Sequence, residues 1–513
     1  VKHIDPDDSR LGLRPPPLPP ERPDAAARLD ALAARVRHDL RIMCYPKDPW
    51  VLPRQRPDGQ HVYDVLIIGA GQGGLATAFA LQRERVGNIL VLDRAPRGRE
   101  GPWVTYSRMW TLRSPKHLTS LDLGIPSLAP RSWFEAVYGE DGWEALARWP
   151  RDTWQHYLDW YRDVLELPVR NEARVDAIDQ SGDLVALTVN GCERLYCRKL
   201  VLATGIEGMG DWYVPPAVRD LPRQYWTMCT DDVDSRLWRG QKIAVLGAGA
   251  TAWDRAADLL ELGAGHVTIH MRRRQLLTAN TFRYLEKAGY LRHYASMSDA
   301  DKWRWIQTIF TFGQPPTQDG VNRCAVFDNF VLHPGASWRR CRPVGGRVEV
   351  TATDGSVEVF DHLFVGAGFS MDPRNRPELA AFSDNIATWG DRFTPPADQP
   401  DDWLLTFPYL NRDLSFVERE PGRTPVLRNI FCFNYGATVT NAHSGASLSG
   451  MKYGIEPLIH GLTHALWVED EPEHFRITRT WSAVDTDPTP ILPRIWRPDP
   501  ARDAEPARSA AAG

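Results

Sequence analysis

The sequence predicts an α/β protein built from two parallel-sheet units, and three observations lead there. Between a proline-rich N-terminal arm and a polar C-terminal tail, apolar strand-like runs alternate with helical patterns, as expected of parallel sheets covered by helices. Two of the strands, "VLIIGAGQGG" at 65–74 and "KIAVLGAGATAWD" at 242–254, run straight into glycine turns and then helices. The turns lie much farther apart than one βαβ unit, of about 30 residues, can span, so each belongs to its own domain.

Composition narrows the class. At 513 residues and 43% hydrophobic content the chain can bury several domain-sized cores. A formal net charge of −4 provides no basic field for nucleic acid or an anionic membrane. The cysteines are scattered with no CxxC pair, which suits reduced thiols and points to neither a disulfide framework nor a bound metal. The most apolar stretch, 65–81, is interrupted by glycines and is shorter than a spanning helix requires, and the N-terminus has no apolar signal core. The expectation is a cytoplasmic protein without a membrane partner. In the tryptophan-rich stretch 131–167, interspersed acidic residues argue against a single-stranded nucleic-acid platform. Trp154, Tyr157, Leu158 and Tyr161 instead have the spacing of one buried helix face. "DAAARLDALAARVRHDLRIM" predicts a helix after the arm, 310–324 reads as a loop, and "RPDPARDAEPARSAAAG" as a disordered tail.

In the first turn, Val65 to Ile68 form a continuous apolar run, as in a strand buried on both faces. Gly69, Gly71 and Gly74 follow at GxGxxG spacing: one for the tight turn, one so that backbone can approach a pyrophosphate, one for close helix packing. "NILVLDR" then supplies a second strand ending in Asp93, the carboxylate that accepts hydrogen bonds from a ribose diol about 20 residues beyond such a turn. The second turn has Gly247 and Gly249, with Ala252 in place of the third glycine, and its following strand ends in Arg272, Arg273 and Arg274. A carboxylate there would repel a 2′-phosphate, whereas guanidinium groups bind it bidentately. The first turn therefore points to FAD and the second to NADPH.

This arrangement resembles the two-dinucleotide-domain flavoproteins, in which a Rossmann-like NADPH domain is inserted into a Rossmann-like FAD domain. "KLVLATGIEG" at 199–208, containing Gly205, is similar to the strand and turn that leave the FAD domain, and "FDHLFVGAGFSMD" at 360–372, containing Gly368, to those that return. The implied partition is an arm and helix at 1–60, FAD domain at 61–207 and 356–470, NADPH domain at 208–355, and a tail at 471–513. "GPWVTYSRMWTLRSPKHLTS" at 101–120, with Trp103 in its glycine turn, resembles the segment that passes the flavin in class B flavoprotein monooxygenases. In that class NADPH reduces FAD, and oxygen adds to the flavin as a (hydro)peroxide that oxygenates a small-molecule substrate. Within it, the chain looks most like the branch containing the bacterial flavoprotein urate hydroxylase.

The chain also departs from the class. The FxGxxxHxxx(W or F) fingerprint of Baeyer–Villiger and flavin-containing members is missing: "LPRQYWTMCTDDVD" has Leu221 in the aromatic's place. N- or C-hydroxylation of a small polar, nitrogen-containing substrate fits better, with an amino-acid or amine N-hydroxylase as the alternative. From another class comes a reductase passing flavin electrons to a partner. Disulfide reductases need a cysteine pair near the flavin, and Cys192 and Cys197 sit in a predicted hairpin instead. Substrate contacts are sought at Arg113 and Lys116, either for an anionic substrate or for flavin phosphates, and at Asn434, His443 and Ser444 in "FNYGATVTNAHSGASLSGMKYG", where a helix-capping role is equally open.

Overall fold

The computed structural model describes residues 17–43, 46–117, 121–442 and 446–497. The chain divides into two compact units, residues 1–466 and 467–513. The first contains three sheets. The second carries the last turns of the helix Leu448–Arg479 and a short 3-10 turn at Thr489–Arg494.

The first sheet is formed by β1 (Val62–Ile68), β2 (Ile89–Leu92), β3 (Val169–Arg170), β4 (Val175–Ser181), β5 (Leu184–Val189) and β6 (Glu193–Leu202), in the order β3-β2-β1-β6-β5-β4. Its centre, β3-β2-β1-β6, is parallel, and β4-β5-β6 is an antiparallel meander. The second sheet begins with β7 (Trp226–Met228), β8 (Lys242–Leu246), β9 (His266–Met271) and β10 (Phe330–Pro334), all in parallel register. An antiparallel sheet of β11 (Trp338–Val344), β12 (Arg347–Ala352) and β13 (Val357–Phe360) comes next. Then β14 (His362–Val365) enters the second sheet between β8 and β7, and β15 (Ile430–Cys432) joins the first sheet beside β6. The two parallel sheets repeat one plan: strand, glycine turn, helix, strand, antiparallel meander, crossing strand.

The paths between the sheets run side by side. The N–H of Tyr213 donates to Gly368 O at 2.9 Å and that of Ser370 to Asp211 O at 2.8 Å, so the outgoing segment at 210–213 and the returning one at 368–371 form a short antiparallel bridge. Three expectations are corrected here. The strand at 362–365, expected in the first domain from residue 356 onward, pairs with β8. Its apolar side chains complete the core of the second sheet, and the return follows it. The second half of the expected loop at 310–324 is a helix, Gln318–Ala325, started by Thr317, whose Oγ1 accepts the N–H of Gly320 at 3.1 Å. The expected tail at 471 is still helical up to Arg479.

The helix Arg151–Val164 buries Trp154, Tyr157, Leu158 and Tyr161 as its spacing predicts. Both phenols are satisfied inside the core: Tyr157 donates to Leu128 O and Tyr161 to Leu121 O, each at 2.8 Å. The N-terminal helix, Ala25–Ile42, also forms where expected, with Val36 buried. Arg28 fastens it by donating to the carbonyls of Glu135 and Ala136, each at 3.1 Å, near the C-terminus of the helix Pro130–Tyr138.

Candidate functional site

At the end of β1, Gly69 has φ +105°, and at the end of β8, Gly247 has φ +120°. Space demands glycine there as much as conformation does: a Cβ on Gly69 would stand 2.4 Å from the Ala203 carbonyl oxygen, and one on Gly247 2.2 Å from that of Gly366. A Cβ on Gly74 would meet Gly69 O at 1.8 Å. In the second turn, where Ala252 replaces the third glycine, the partner position is Gly366, itself without a side chain. The middle glycines behave differently. Gly71 and Gly249 have φ −70° and −74°, which any residue adopts, and a Cβ on either would meet nothing within 4 Å. Each is the N-cap of a twelve-residue helix, Gln72–Arg83 or Ala250–Glu261. A small residue is useful there for a group outside the chain, and a helix N-terminus with open backbone N–H groups is a phosphate site. Gly205 and Gly368 are similarly open, with positive φ.

Around the first turn, Asp93 is buried at the end of β2. Its Oδ2 accepts the N–H of Ala70 at 2.7 Å and its Oδ1 that of Ala95 at 2.8 Å, which fixes the carboxylate against the turn where a ribose would lie. Two polar atoms nearby were not anticipated. Gln72 Oε1, in the turn itself, is enclosed without a hydrogen-bond partner, and so is Glu100 Oε2. Glu100 is held by Asn171 at 2.6 Å and Arg162 at 3.1 Å, and burial raises its pKa. These unpaired acceptors suit the hydroxyl-bearing half of a dinucleotide.

At the second turn, the N–H of Gly247 donates to His270 O at 2.9 Å, which brings the end of β9 beside the turn. Arg272, Arg273 and Arg274 follow and are all exposed. Arg273 Nη2 donates to Thr311 O at 2.8 Å. The run thus follows the strand whose end lies beside the second turn, and it faces solvent.

The 99–113 segment, which contains Trp103, joins the two halves. Arg99 pairs with Asp232 at 2.7 Å, and Arg108 with Asp258 at 3.3 Å. Arg323 donates to Arg108 O at 3.0 Å, lies over the Trp110 ring at 4.4 Å, and grips Glu261 through two bonds of 2.7 Å. Arg113 Nη1 reaches Gln314 at 3.5 Å, while its Nη2 is enclosed with no hydrogen-bond partner. Burial pushes the pKa of Asp254, on the helix of the second turn, up to about 6, although Arg113 and Arg323 oppose the shift. An acid on the buried face of "TAWDRAADLL" was the available signal for this network. A line of rings, Tyr106, Trp212, Phe369 and Tyr435, with centroids 6.1, 6.0 and 4.7 Å apart, runs along the crossing between the sheets.

The other candidates divide. Lys116 Nζ donates to Trp143 O at 2.6 Å and lies over that ring, so its charge is used to hold the neighbouring helix. Asn434 is fully buried: its Nδ2 donates to Leu202 O at 3.1 Å and Thr204 Oγ1 at 3.0 Å, and its Oδ1 accepts the N–H of Gly436 at 2.8 Å. Its amide is therefore committed to positioning the turn after β15 against that after β6. His443 and Ser444 lie outside the described residues. Cys197 is buried within β6 while Cys192 is exposed in the hairpin turn, and burial raises the Cys197 thiol's pKa, the opposite of what a reactive thiol needs.

Comparison with known proteins agrees with this geometry. A family model for FAD-NAD(P)-binding matches residues 66–207, and one for L-lysine 6-monooxygenase/L-ornithine 5-monooxygenase matches residues 144–306. The chain is 41% identical over 445 residues to the FAD-dependent urate hydroxylase of Xanthomonas campestris pv. campestris, covering 86% of this chain and 94% of that protein. Among solved structures, the ornithine hydroxylase of Pseudomonas aeruginosa aligns with a TM-score of 0.60 at 16% identity, over 79% of this chain and all of that one. The L-lysine 6-monooxygenase of Pseudomonas syringae gives the same score and identity over 79% of this chain and 99% of its own. At such identities the two structures establish a shared fold.

Two measurements check the site. Gly71→Ala and Gly249→Ala should both fold, because neither methyl meets protein. The first should lose bound FAD, and the second should keep FAD while its KM for NADPH rises about tenfold or more; loss of FAD from both would contradict separate sites. The raised pKa of Asp254 also has a definite sign. The folded protein holds a proton that the unfolded chain releases, so this contribution to stability is present at low pH and lost as pH rises through about 6. Between pH 5 and 7, urea denaturation should show wild type losing about 1 kcal/mol relative to Asp254→Asn; parallel profiles would contradict the assignment.

Proposed function

The chain belongs to the family of the FAD-dependent urate hydroxylase, and on that premise we propose that it hydroxylates an anionic, nitrogen-rich heterocycle of the urate class with NADPH and molecular oxygen. It is an FAD- and NADPH-dependent monooxygenase. Bound flavin, once reduced by NADPH, supplies the oxygen-activating chemistry. The polypeptide binds both dinucleotides at helix N-termini, sets their distance apart through the 99–113 segment, and excludes water with the rings along the crossing.

The observation that carries the substrate class is Arg113. Its guanidinium keeps an enclosed, unpaired donor and lies close enough to Asp254, on the helix of the second turn, for their charges to interact. A planar anion with a carbonyl oxygen beside a deprotonated ring nitrogen offers the acceptors that such a donor needs. The match of residues 144–306 to the lysine and ornithine monooxygenase family favours a second reading, N-hydroxylation of an amino acid or amine. Transfer of electrons to a disulfide partner finds no support in the buried Cys197.

The test is NADPH oxidation and oxygen uptake with urate, L-ornithine, L-lysine or cadaverine as the added compound. Urate should stimulate both in a one-to-one ratio and be consumed, and Arg113→Ala should raise its KM about 10- to 100-fold. Stimulation and product formation with an amine, and none with urate, would replace this reading by the second.

A further inference from the structure

We propose that the second sheet carries a divalent transition-metal site, best suited to Zn2+, formed by His270, His333 and Glu358. This goes beyond the oxygenase reading and does not depend on it. His270 on β9 and His333 on β10 are direct neighbours in the parallel register, so both imidazoles project from the same face of the sheet. Their ring centroids are 5.2 Å apart. Glu358, on β13, approaches from the antiparallel sheet that covers this face. One donor atom from each of the three lies within 4.8 Å of the others. A tetrahedral ion with bonds of about 2.1 Å sets its ligands about 3.4 Å apart, so modest side-chain closure completes the set.

Two further observations point to a ligand. His270 is 1% exposed, packed among the rings of His333, Trp338 and Phe360, and its Nδ1 is enclosed with no hydrogen-bond partner. An unpaired nitrogen in such surroundings is unfavourable unless something binds it. His333 Nε2 is 2.8 Å from Asp354 Oδ2. Asp354 Oδ1 in turn accepts the hydroxyl and the N–H of Ser356, which holds the carboxylate in place to accept the ring N–H. That leaves Nδ1 of the His333 ring to face an ion. A carboxylate that fixes the tautomer of a ligating histidine is the usual support for a bound metal.

Glu358 Oε2 accepts from Lys242 Nζ at 3.1 Å, which leaves Oε1 for an ion. Lys242 also lies over the Phe360 ring and is the opposing charge at the site. An ion here would tie β9, β10 and β13 together two residues before Arg272. It would thus stiffen the strand end that carries the arginine run.

The experiment uses the full chain with FAD bound, dialysed against EDTA and then titrated with Zn2+ alone, by calorimetry and by thermal melting. One Zn2+ per chain should bind and raise Tm. His333→Ala and Glu358→Gln, at partly exposed positions, should keep the metal-free Tm and weaken binding by about 10-fold or more, while Lys242→Gln should tighten it. Absence of a Tm shift with Zn2+, or binding that neither His333→Ala nor Glu358→Gln weakens, would overturn the site.

Discussion

The structure depends on one close contact made twice. At the end of β1 and again at the end of β8, the chain turns so tightly that a backbone carbonyl of the crossing segment, from Ala203 or Gly366, occupies the space of a side chain. That contact brings three strand ends to one level and starts each helix at the sheet edge. The middle glycine is thereby left facing outward. A geometry suited to phosphate is thus a by-product of how adjacent strand ends pack, on the surface that packing leaves open.

Two such surfaces are useful only if held at a fixed distance, and a different force does this. The pairing of 210–213 with 368–371 is a backbone bridge, whereas the 99–113 segment is held by charge. Arg323 is nearly inaccessible, yet it satisfies Glu261, the Arg108 carbonyl and the face of Trp110 together. Buried ion pairs contribute little net stability because desolvation offsets their attraction, but they tolerate few alternative arrangements. Here they fix the register between the 99–113 segment and the helix of the second turn.

What the sequence made legible was local. The glycine spacing, the acid at Asp93, the arginines after β9 and the aromatic face of the helix Arg151–Val164 are each read from neighbours within one element, and the strands and helices that carry them form where those patterns predict. What stayed hidden was decided by distant backbone. Lys116 looks like a free cation until Trp143 O receives it, and Asn434 like a substrate contact until Leu202 O and Thr204 do. The boundary at 356 was misplaced because a strand inserted late between β7 and β8 has the same apolar run as one returning to the first sheet. Arg113 was visible as a candidate, but only the fold shows that its Nη2 has no partner.

We propose that the two open helix N-termini hold two different dinucleotides at the same time. Calorimetric titration of the FAD-loaded protein with NADP+, with released flavin followed by fluorescence, tests it most directly. One NADP+ should bind per chain with FAD fully retained. Displacement of FAD by NADP+, or no binding to the FAD-loaded chain, would contradict it.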